Sequence, residues 1–255
     1  MINLHGFLVR YKKFLSGAGM LVLICLIFWA VNSPAIVGAS ATQRQLPVYS
    51  VQRNDKLLSI SFDAAWGNED TQQLIDILNE RGINTTFFVV GDWVEKYPES
   101  VKALADAGNE VMSHSSHHDH FSKLSREQIQ ADLKACNDKI AAITGVSPSL
   151  FRCPYGEYDD HVIQAVREMG MEPIQWSVDS LDWKGLSAQE ITRRVLDSVS
   201  PGSIVLFHNA AEHTPEALPE ILDSLLSSGY SIVPISQLLL HGETFIDNTG
   251  MQCPK

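Results

Sequence analysis

Residues 56–90, KLLSISFDAAWGNEDTQQLIDILNERGINTTFFVV, contain a strand, a helix and a second strand in succession. The apolar run 56–62 predicts a buried strand. The apolar spacing across 70–81 predicts an amphipathic helix, which Gly82 ends. The run 85–90 predicts the second strand. This order is the repeating unit of a parallel sheet covered by helices.

The same alternation continues to residue 234. Further strand-like runs lie at 110–113, 150–153, 173–177, 203–207 and 231–234. Helical runs lie between them, at 100–107, 125–144, 161–169, 187–199 and 215–228. Capping boxes mark two helix starts, at 125–128 and 187–190. We therefore predict an α/β fold, a distorted (β/α) barrel of about seven strands.

The composition excludes several classes of protein. Of 255 residues, 45% are hydrophobic and 19% are charged, so the chain can build a core and is not disordered. The formal charge of −11 argues against nucleic acid as a partner. Four cysteines without a CxxC pair give no support to a disulfide scaffold or a thiolate zinc site.

The N-terminal 41 residues differ from the rest of the chain. Three basic residues precede a long uncharged stretch whose core, GMLVLICLIFWAV (19–31), is apolar. This pattern is typical of a cleaved signal peptide, with an A-x-A site at 39–41, or of an uncleaved membrane anchor; a buried core helix is the weaker alternative. We expect a polar linker at 42–56, the folded domain at 57–240 and a loosely packed C-terminal tail at 241–255. Without 1–41, the body holds 16 basic and 30 acidic residues, a charge of −14.

Polar side chains cluster just after five of the predicted strands. The runs are SFDAAWG (61–67), SHSSHHDH (113–120), FRCPYG (151–156), WSVDSLDW (176–183) and LFHN (206–209). In a β/α barrel the carboxyl ends of the strands share one face, and the chemistry is found there. Five such runs on one predicted face indicate a site.

Histidines dominate the second of these runs. His114 and His118 are four residues apart, a spacing that can bring two imidazoles onto one metal ion. Neutral imidazole suits zinc, cobalt and similar ions. His117 could replace one of them, and His120 could hydrogen-bond to a metal ligand without binding the metal itself. The alternative is a solvated polar loop.

Four other side chains are candidates for acid–base chemistry. Asp63 could take a proton from a metal-bound water, and Arg152 could hold that carboxylate by a bidentate contact. His208 could act as a general acid, with Asp182 keeping it protonated. The alternatives are structural: a turn aspartate, a surface arginine and a histidine packed at a strand end.

Aromatic residues accompany these candidates. Trp66, Tyr155 and Trp183 could form apolar walls on which a sugar ring stacks, although most tryptophans fill cores. Cys136 and Cys153 are predicted to be small buried hydrophobes.

Taken in order, SFDAAWG, HSSHH, RCPYG, DSLDW and LFH resemble the five motifs of NodB-type polysaccharide deacetylases, carbohydrate esterase family 4. The resemblance runs from about Leu57 to Leu240, and the set of five is far more specific than any one motif. The N-terminal anchor together with FDAAWG is most similar to sporulation-associated cell-wall deacetylases of Gram-positive bacteria. The resemblance implies a distorted (β/α) barrel and metal-dependent removal of acetyl groups from N-acetylated sugars.

The resemblance also implies catalytic roles for individual residues. Asp63 matches the catalytic base, and Arg152 matches the residue that tethers it. His208 matches the general acid, and Asp182 matches the residue that tunes that acid. The backbone N–H of Tyr155 matches an oxyanion donor.

Metal and substrate positions carry over in the same way. His114 and His118 match the metal-binding histidines, so the resemblance implies one divalent metal, zinc or cobalt first. Trp183 lines the groove, Leu206 matches the pocket for the acetyl methyl, and Tyr155 also contacts the substrate.

The chain departs from the family pattern at one position. The first motif normally holds two adjacent aspartates, and the second is the third metal ligand. Here that position is Ala64, which cannot ligate a metal. Water, His117 or another carboxylate could fill the place.

Two functions follow from this comparison. The first is an extracytoplasmic N-deacetylase, membrane-anchored or secreted in a Gram-positive envelope, that releases acetate from peptidoglycan or a similar glycan. The second, which rests on Ala64, is a catalytically impaired glycan-binding or sporulation-signalling protein on the same scaffold. In either case we expect a monomer whose partners are a glycan and, through its N-terminus, the membrane.

Overall fold

Strands and helices alternate along the chain in the computed structural model, which describes residues 19–29 and 44–255. The strands are β1 (Ser50–Val51), β2 (Leu57–Ala64), β3 (Thr86–Val89), β4 (Glu110–Ser113), β5 (Leu150–Phe151), β6 (Glu172–Pro173), β7 (Val178–Asp179), β8 (Ile204–His208), β9 (Ser231–Ile232), β10 (Thr244–Ile246) and β11 (Met251–Pro254). The helices are α1 (Thr71–Asn79), α2 (Gly91–Lys96), α3 (Pro98–Asp106), α4 (Arg126–Thr144), α5 (Asp160–Glu168), α6 (Ala188–Leu196), α7 (Thr214–Ser227) and α8 (Ile235–Leu238).

Seven strands form one curled parallel sheet, in the order β6-β5-β4-β3-β2-β8-β7. The short strand β9 pairs with the beginning of β2. Helices cover the sheet, which gives the α/β half-barrel that the alternation predicts, so the predicted fold class is confirmed. Because all seven strands run in parallel, their carboxyl ends lie along one rim of the sheet.

The two faces of β2 show how the core is divided. Leu58, Ile60 and Phe62 are buried in the large cluster between the sheet and the helices. Ser61 and Asp63 alternate with them and are also buried, on the opposite face. The inner face of β2 is therefore polar near the rim, and this polarity positions the site.

Local sequence signals set the two predicted helix starts. In both capping boxes the serine side chain accepts from the N3 backbone, and the N3 side chain accepts from the serine N–H, at Ser125 with Gln128 and at Ser187 with Glu190. Both predictions are confirmed. The cysteine prediction is confirmed as well, because Cys136 and Cys153 are free and buried.

The strand predicted at 173–177 is divided in two. Glu172–Pro173 pairs with β5 and Val178–Asp179 pairs with β8, so the intervening chain joins the two edges of the sheet. The Gln175 N–H donates to the carbonyl of Val48 instead of to a neighbouring strand of the sheet.

The expected loose packing of the C-terminal tail is wrong, and part of the predicted linker is a strand. β1, in the linker, pairs in parallel with β11, and β11 pairs antiparallel with β10, both in the tail. The sheet is joined tightly to β1, because a Cβ at Gly202 (φ +81°) would lie 1.7 Å from the carbonyl oxygen of Val51. Strands of two to four residues are too short to show alternation in sequence, which explains the error.

Residues 19–29 form a helix whose large apolar side chains are exposed. None of the helices within 19–29 and 44–255 meets the length and hydropathy needed to cross a bilayer. The rest of the predicted signal or anchor segment, including the A-x-A site at 39–41, lies outside the described residues.

Candidate active site

Asp63 lies at the rim end of β2 and is held by a buried arginine. Arg152 Nη1 donates to Asp63 Oδ1 over 2.7 Å, and Arg152 itself is 0% exposed. The guanidinium also donates to Ser61 Oγ (2.9 Å) and to the carbonyl of Gln175 (3.2 Å). Its carbon lies 4.2 Å from the ring centroid of Phe88. Arg152 therefore has no rotational freedom and fixes one carboxylate oxygen.

The electrostatics of this pair keep the carboxylate ionised. Burial by itself raises the pKa of Asp63, but the charge and hydrogen bond of Arg152, helped by the charge of His208, bring that pKa below its ordinary value. Asp63 is then a carboxylate at neutral pH, and its Oδ2 is free of Arg152. It can accept a proton from a water in the cavity.

His208 lies beside Asp63 on the neighbouring strand. The two residues are register partners across the β2–β8 pairing, so about 4.8 Å separates their strands. His208 Nδ1 is 2.8 Å from Asp182 Oδ1, and the other carboxylate oxygen accepts the His208 N–H (2.8 Å) and the Thr214 hydroxyl (2.7 Å). The imidazole is thereby oriented, with Nε2 left for a substrate.

Asp182 also sets the charge of this histidine. Burial lowers the pKa of His208, but the hydrogen bond and the charge of Asp182 outweigh it and raise the pKa above its ordinary value. The neighbouring strand ends therefore present an ionised carboxylate together with an imidazole that Asp182 biases toward its protonated form, which is the arrangement that acid–base hydrolysis of an amide requires.

His114 and His118 lie on the other side of Asp63. His114 Nδ1 is 2.7 Å from the carbonyl oxygen of Arg152, so an N–H there donates and Nε2 is free, 3.5 Å from Asp63 Oδ2. The rings of His114 and His118 are 5.0 Å apart between centroids. Burial lowers the pKa of both, that of His118 to about 4 with help from His114, so both are neutral and able to bind a metal at pH 7.

The remaining histidines of that run are turned elsewhere. His117 Nδ1 bonds to the Asp92 carboxylate at 2.9 Å, and its side chain is exposed and does not line the cavity. The structure therefore does not place it as a substitute ligand. His120 bonds to Glu157 at 2.6 Å and stacks on Tyr155, with ring centroids 4.5 Å apart.

The side chains supply two ligands of the metal site and lack a third. His114 offers the oriented Nε2 that metal-binding histidines show. Ala64 carries a methyl group, which packs in the core on the helix side of β2, whereas Ala65 lines the cavity. No three His, Cys, Asp or Glu side chains within 19–29 and 44–255 are grouped so as to hold a metal ion.

A cavity of about 710 Å³ opens at this rim. Its lining joins the five sequence runs: Asp63, Ala65, Trp66, His114, His118, Tyr155, Gly156, Trp176, Asp179, Trp183, Leu206 and His208. Trp66, Tyr155 and Trp183 are each more than half exposed, as expected of walls that contact a ligand. Trp66 also stacks on His208 at 6.3 Å between centroids.

Tyr155 has an unusual backbone conformation. Its φ is 59°, in the left-handed region, within a 3₁₀ turn that begins at Pro154. In the first turn of a helix the N–H groups have no partner within the helix. The Tyr155 N–H is therefore suited to an oxyanion, and strain of this kind is common at functional sites.

Sequence reasoning missed three residues at this site. Thr214 bonds to Asp182, and Trp176 and Asp179 line the cavity. Asp179 lies three residues before Asp182 in one of the five runs and could have been found there. Thr214 follows no predicted strand, so no pattern in the sequence indicated that it belongs to the site.

Comparisons with known proteins agree with this geometry. The polysaccharide deacetylase family model matches residues 50–174. The peptidoglycan-N-acetylmuramic acid deacetylase PdaC of Bacillus subtilis is 33% identical over 74% of this chain and 40% of its own. A peptidoglycan-N-acetylglucosamine deacetylase of Bacillus cereus is 29% identical over 74% of this chain and 70% of its own. The chain spans 60% of a further relative, the uncharacterized B. subtilis protein YlxY.

Solved structures of similar proteins bear on the question of activity. BA3943 of Bacillus anthracis, described as a CE4 family pseudoenzyme, has a TM-score of 0.73 and 33% identity, covering 75% of this chain and 68% of its own. A mutant of BA3943 with restored enzymatic activity matches at 34% identity with the same TM-score. With the five runs meeting at one rim and these relatives sharing both fold and sequence, the chain belongs to the polysaccharide deacetylase family, also called NodB or CE4.

Proposed function

We propose that this protein hydrolyses N-acetyl groups of a cell-wall glycan, peptidoglycan or a similar polymer, and releases acetate. The observation that carries the proposal is the pairing of Asp63 with His208 across β2 and β8, each with its own buried partner. Both open onto one cavity with exposed aromatic walls.

The protein's own groups account for the proton transfers. Asp63 takes a proton from a water that attacks the acetamide carbonyl. The Tyr155 N–H donates to the oxyanion. His208 then gives a proton through Nε2 to the nitrogen of the sugar as the C–N bond breaks, so acetate and a free amino sugar leave. Leu206 receives the acetyl methyl, and Trp183 stacks against the sugar ring.

The family is generally metal-dependent, and His114 and His118 would hold a divalent ion here, zinc or cobalt first. When bound, such an ion polarises a carbonyl and lowers the pKa of a bound water. Position 64 does not supply the third protein ligand, so we propose that the ion binds more weakly than at a complete site.

A second function is favoured by Ala64. A glycan-binding or sporulation-signalling protein on this scaffold would need the cavity and its aromatic walls but not a complete metal site. The similarity to BA3943, described as a CE4 family pseudoenzyme, adds to this alternative.

We also propose that the protein works outside the cytoplasm, membrane-anchored or secreted, as a monomer. The basic flank and apolar run of residues 1–31 support export. The names of relatives in Bacillus and Listeria describe peptidoglycan deacetylases, whose substrate lies in the cell wall.

Acetate release from N-acetylglucosamine oligomers and from peptidoglycan tests the enzyme proposal. The full chain, in detergent and with zinc or cobalt added, should release acetate, and Asp63→Asn should reduce the rate by about 10²–10⁴-fold. Asp92→Asn is the control, because that carboxylate is exposed and bonds only His117. No release with any divalent metal, together with glycan binding that Asp63→Asn leaves unchanged, would overturn the enzyme and support the alternative.

A further inference from the structure

A second, smaller cavity lies beside His208. We call it the sugar pocket; its volume is about 190 Å³, and its lining residues are Trp66, Asp182, Trp183, Gly185, His208, Asn209, Ala210, Ala211 and Glu212. It shares Trp66, Trp183 and His208 with the main cavity. The general acid therefore stands between two connected spaces, and neither the family match nor the motif comparison assigns a role to the second.

The reaction places the sugar on the side of this pocket. The acetyl carbon must lie between Asp63 and the oxyanion donor, in the main cavity with Leu206. The nitrogen that receives the proton of His208 belongs to the sugar ring. Because His208 lines both spaces, the ring that carries this nitrogen, or the ring next to it in the glycan, meets the sugar pocket.

The walls of the pocket are preformed by hydrogen bonds. The Ala210 N–H donates to both oxygens of Asp70, and Asn209 Nδ2 donates to the carbonyl of Gly67. Gly67 lies so close to this loop that a Cβ on it would come 2.3 Å from the Cβ of Ala210. The loop 209–212 is therefore fixed against the chain that follows β2.

The lining is acidic and rich in acceptors. The Glu212 carboxylate is exposed and makes no ion pair with a residue of the described ranges. Asp182 is also in the lining, but its side chain is buried and both oxygens are bonded, to His208 and Thr214, so Glu212 is the carboxylate that a ligand meets. The buried Asn209 Oδ1 has no hydrogen-bond partner among the described residues. No lysine or arginine of 44–255 lines the pocket; Lys184 lies over the Trp183 ring, 4.9 Å from its centroid, but is not part of the lining.

We propose that the sugar pocket selects a neutral or cationic amino sugar, of the N-acetylglucosamine type, and disfavours a sugar that carries a carboxylate, of the N-acetylmuramic acid type. Hydroxyl, amide and ammonium groups can donate to Glu212, whereas a lactyl carboxylate is repelled by it. The one basic side chain of the lining, His208, is already paired with Asp182, so the net charge of the lining is negative. The proposal rests on the proposed function and names its substrate. The relatives of this chain include deacetylases named for each sugar, so family membership does not decide between them.

Binding of two matched disaccharides tests the inference. One is the neutral dimer of N-acetylglucosamine; the other is N-acetylglucosaminyl-N-acetylmuramic acid without its peptide, which carries one free carboxylate. Dissociation constants are measured by tryptophan fluorescence and calorimetry on the full chain in detergent, in the Asp63→Asn background so that no ligand is consumed. We expect the neutral dimer to bind about two- to fivefold more tightly at low salt, with a smaller ratio at high salt.

Charge reversal at Glu212 supplies the decisive comparison. Glu212→Lys should equalise or invert the ratio. Glu216→Lys makes the same charge change four residues away, on α7 and outside both cavities, and should leave the ratio near that of the parent. An acidic dimer that binds as tightly as the neutral one, a ratio that Glu212→Lys does not move, or no binding of either dimer would each overturn the inference.

The two proposals fail separately. Suppose that acetate is never released, but the neutral dimer binds more tightly and Glu212→Lys removes the difference. The deacetylase proposal is then refuted, and the proposed specificity of the sugar pocket is supported. Suppose instead that the wild-type chain releases acetate at least as fast from the acidic sugar, and Glu212→Lys does not change this. The deacetylase proposal is then supported, and the proposed specificity of the sugar pocket is refuted.

Discussion

On one side of the cavity, Asp63 and His208 are each bound by a buried partner. On the other side, His114 and His118 lack a third ligand from position 64, whose methyl group packs toward the helices. The first group, which we call the acid–base side, consists of Asp63, Arg152, Asp182 and His208. The second, the imidazole side, consists of His114, His118 and Ala64. The acid–base side has charged partners within 2.8 Å for both reactive groups, whereas the imidazole side is one ligand short.

This difference shows where the fold accepts a cost in stability in order to position a charged group. Burying an arginine and a carboxylate costs several kcal/mol of desolvation, which their attraction recovers only in good geometry. A hydrophobic pair could fill the same volume, so the ion pair is better explained by the need to keep Asp63 ionised and aimed at the cavity. Within the described residues the imidazole side has no buried charged pair of its own; its contact with a charge, His114 Nε2 to Asp63 Oδ2 at 3.5 Å, is shared with the acid–base side.

Removing Arg152 should produce the largest effect. Arg152→Met leaves the buried Asp63 carboxylate without its partner, so we expect a loss of about 3–5 kcal/mol in the free energy of unfolding in urea. Arg126→Met is the control, because Arg126 bonds Glu168 over the same 2.7 Å at the surface, with side chains 41% and 45% exposed. It should cost less than about 1 kcal/mol. Equal losses for the two variants would contradict the contrast.

A carboxylate added at position 64 should give the imidazole side the third metal ligand that it lacks. We expect Ala64→Asp to tighten zinc or cobalt binding by about 100-fold, because an unpaired carboxylate is costly in the core behind β2 and is driven toward the open strand end and the imidazoles. Calorimetric titration of the metal measures this, and acetate release should rise with occupancy.

Ala65→Asp is the matched control for this experiment. It adds the same charge one residue along, on the side chain that already lines the cavity. Tighter metal binding in Ala65→Asp without a change in Ala64→Asp would move the missing ligand to position 65. No change in either would contradict the view that a carboxylate at this strand end limits the metal site.

The sequence foretold one side of this comparison better than the other. Asp63 and His208 each end an apolar run, and parallel strand order brings such ends together whatever the intervening chain does. The sequence also shows that position 64 is an alanine and cannot supply the third metal ligand. Its packing toward the helices follows from alternation along β2, because Ala64 is adjacent to Asp63 and points to the opposite face, with Phe62.

Other features depend on contacts far apart in the chain. Thr214 reaches Asp182 across 32 residues, from the first turn of α7, and no local pattern predicts that hydrogen bond. The pairing of β1 with β11 joins residues about 200 apart through strands of two and four residues. Periodicity needs longer segments than these, so the sequence predicts a polar linker at one end of the body and a loosely packed tail at the other.

The charge state of His208 gives the finest test of the acid–base side. The Asp182 hydrogen bond raises the pKa of His208 in the folded chain, so His208 should contribute stability below its unfolded pKa, and that contribution should be lost as pH rises through the folded pKa. Asp182→Asn should lower the pKa of His208 and move the alkaline limb of acetate release to lower pH. Asp179→Asn should cause a smaller shift in the same direction, since Asp179 acts on His208 only through its charge. NMR titration of the imidazole follows both variants without requiring turnover. A His208 pKa that neither variant lowers would show that Asp182 only positions the ring, and the acid–base side would then lack its protonated acid at neutral pH.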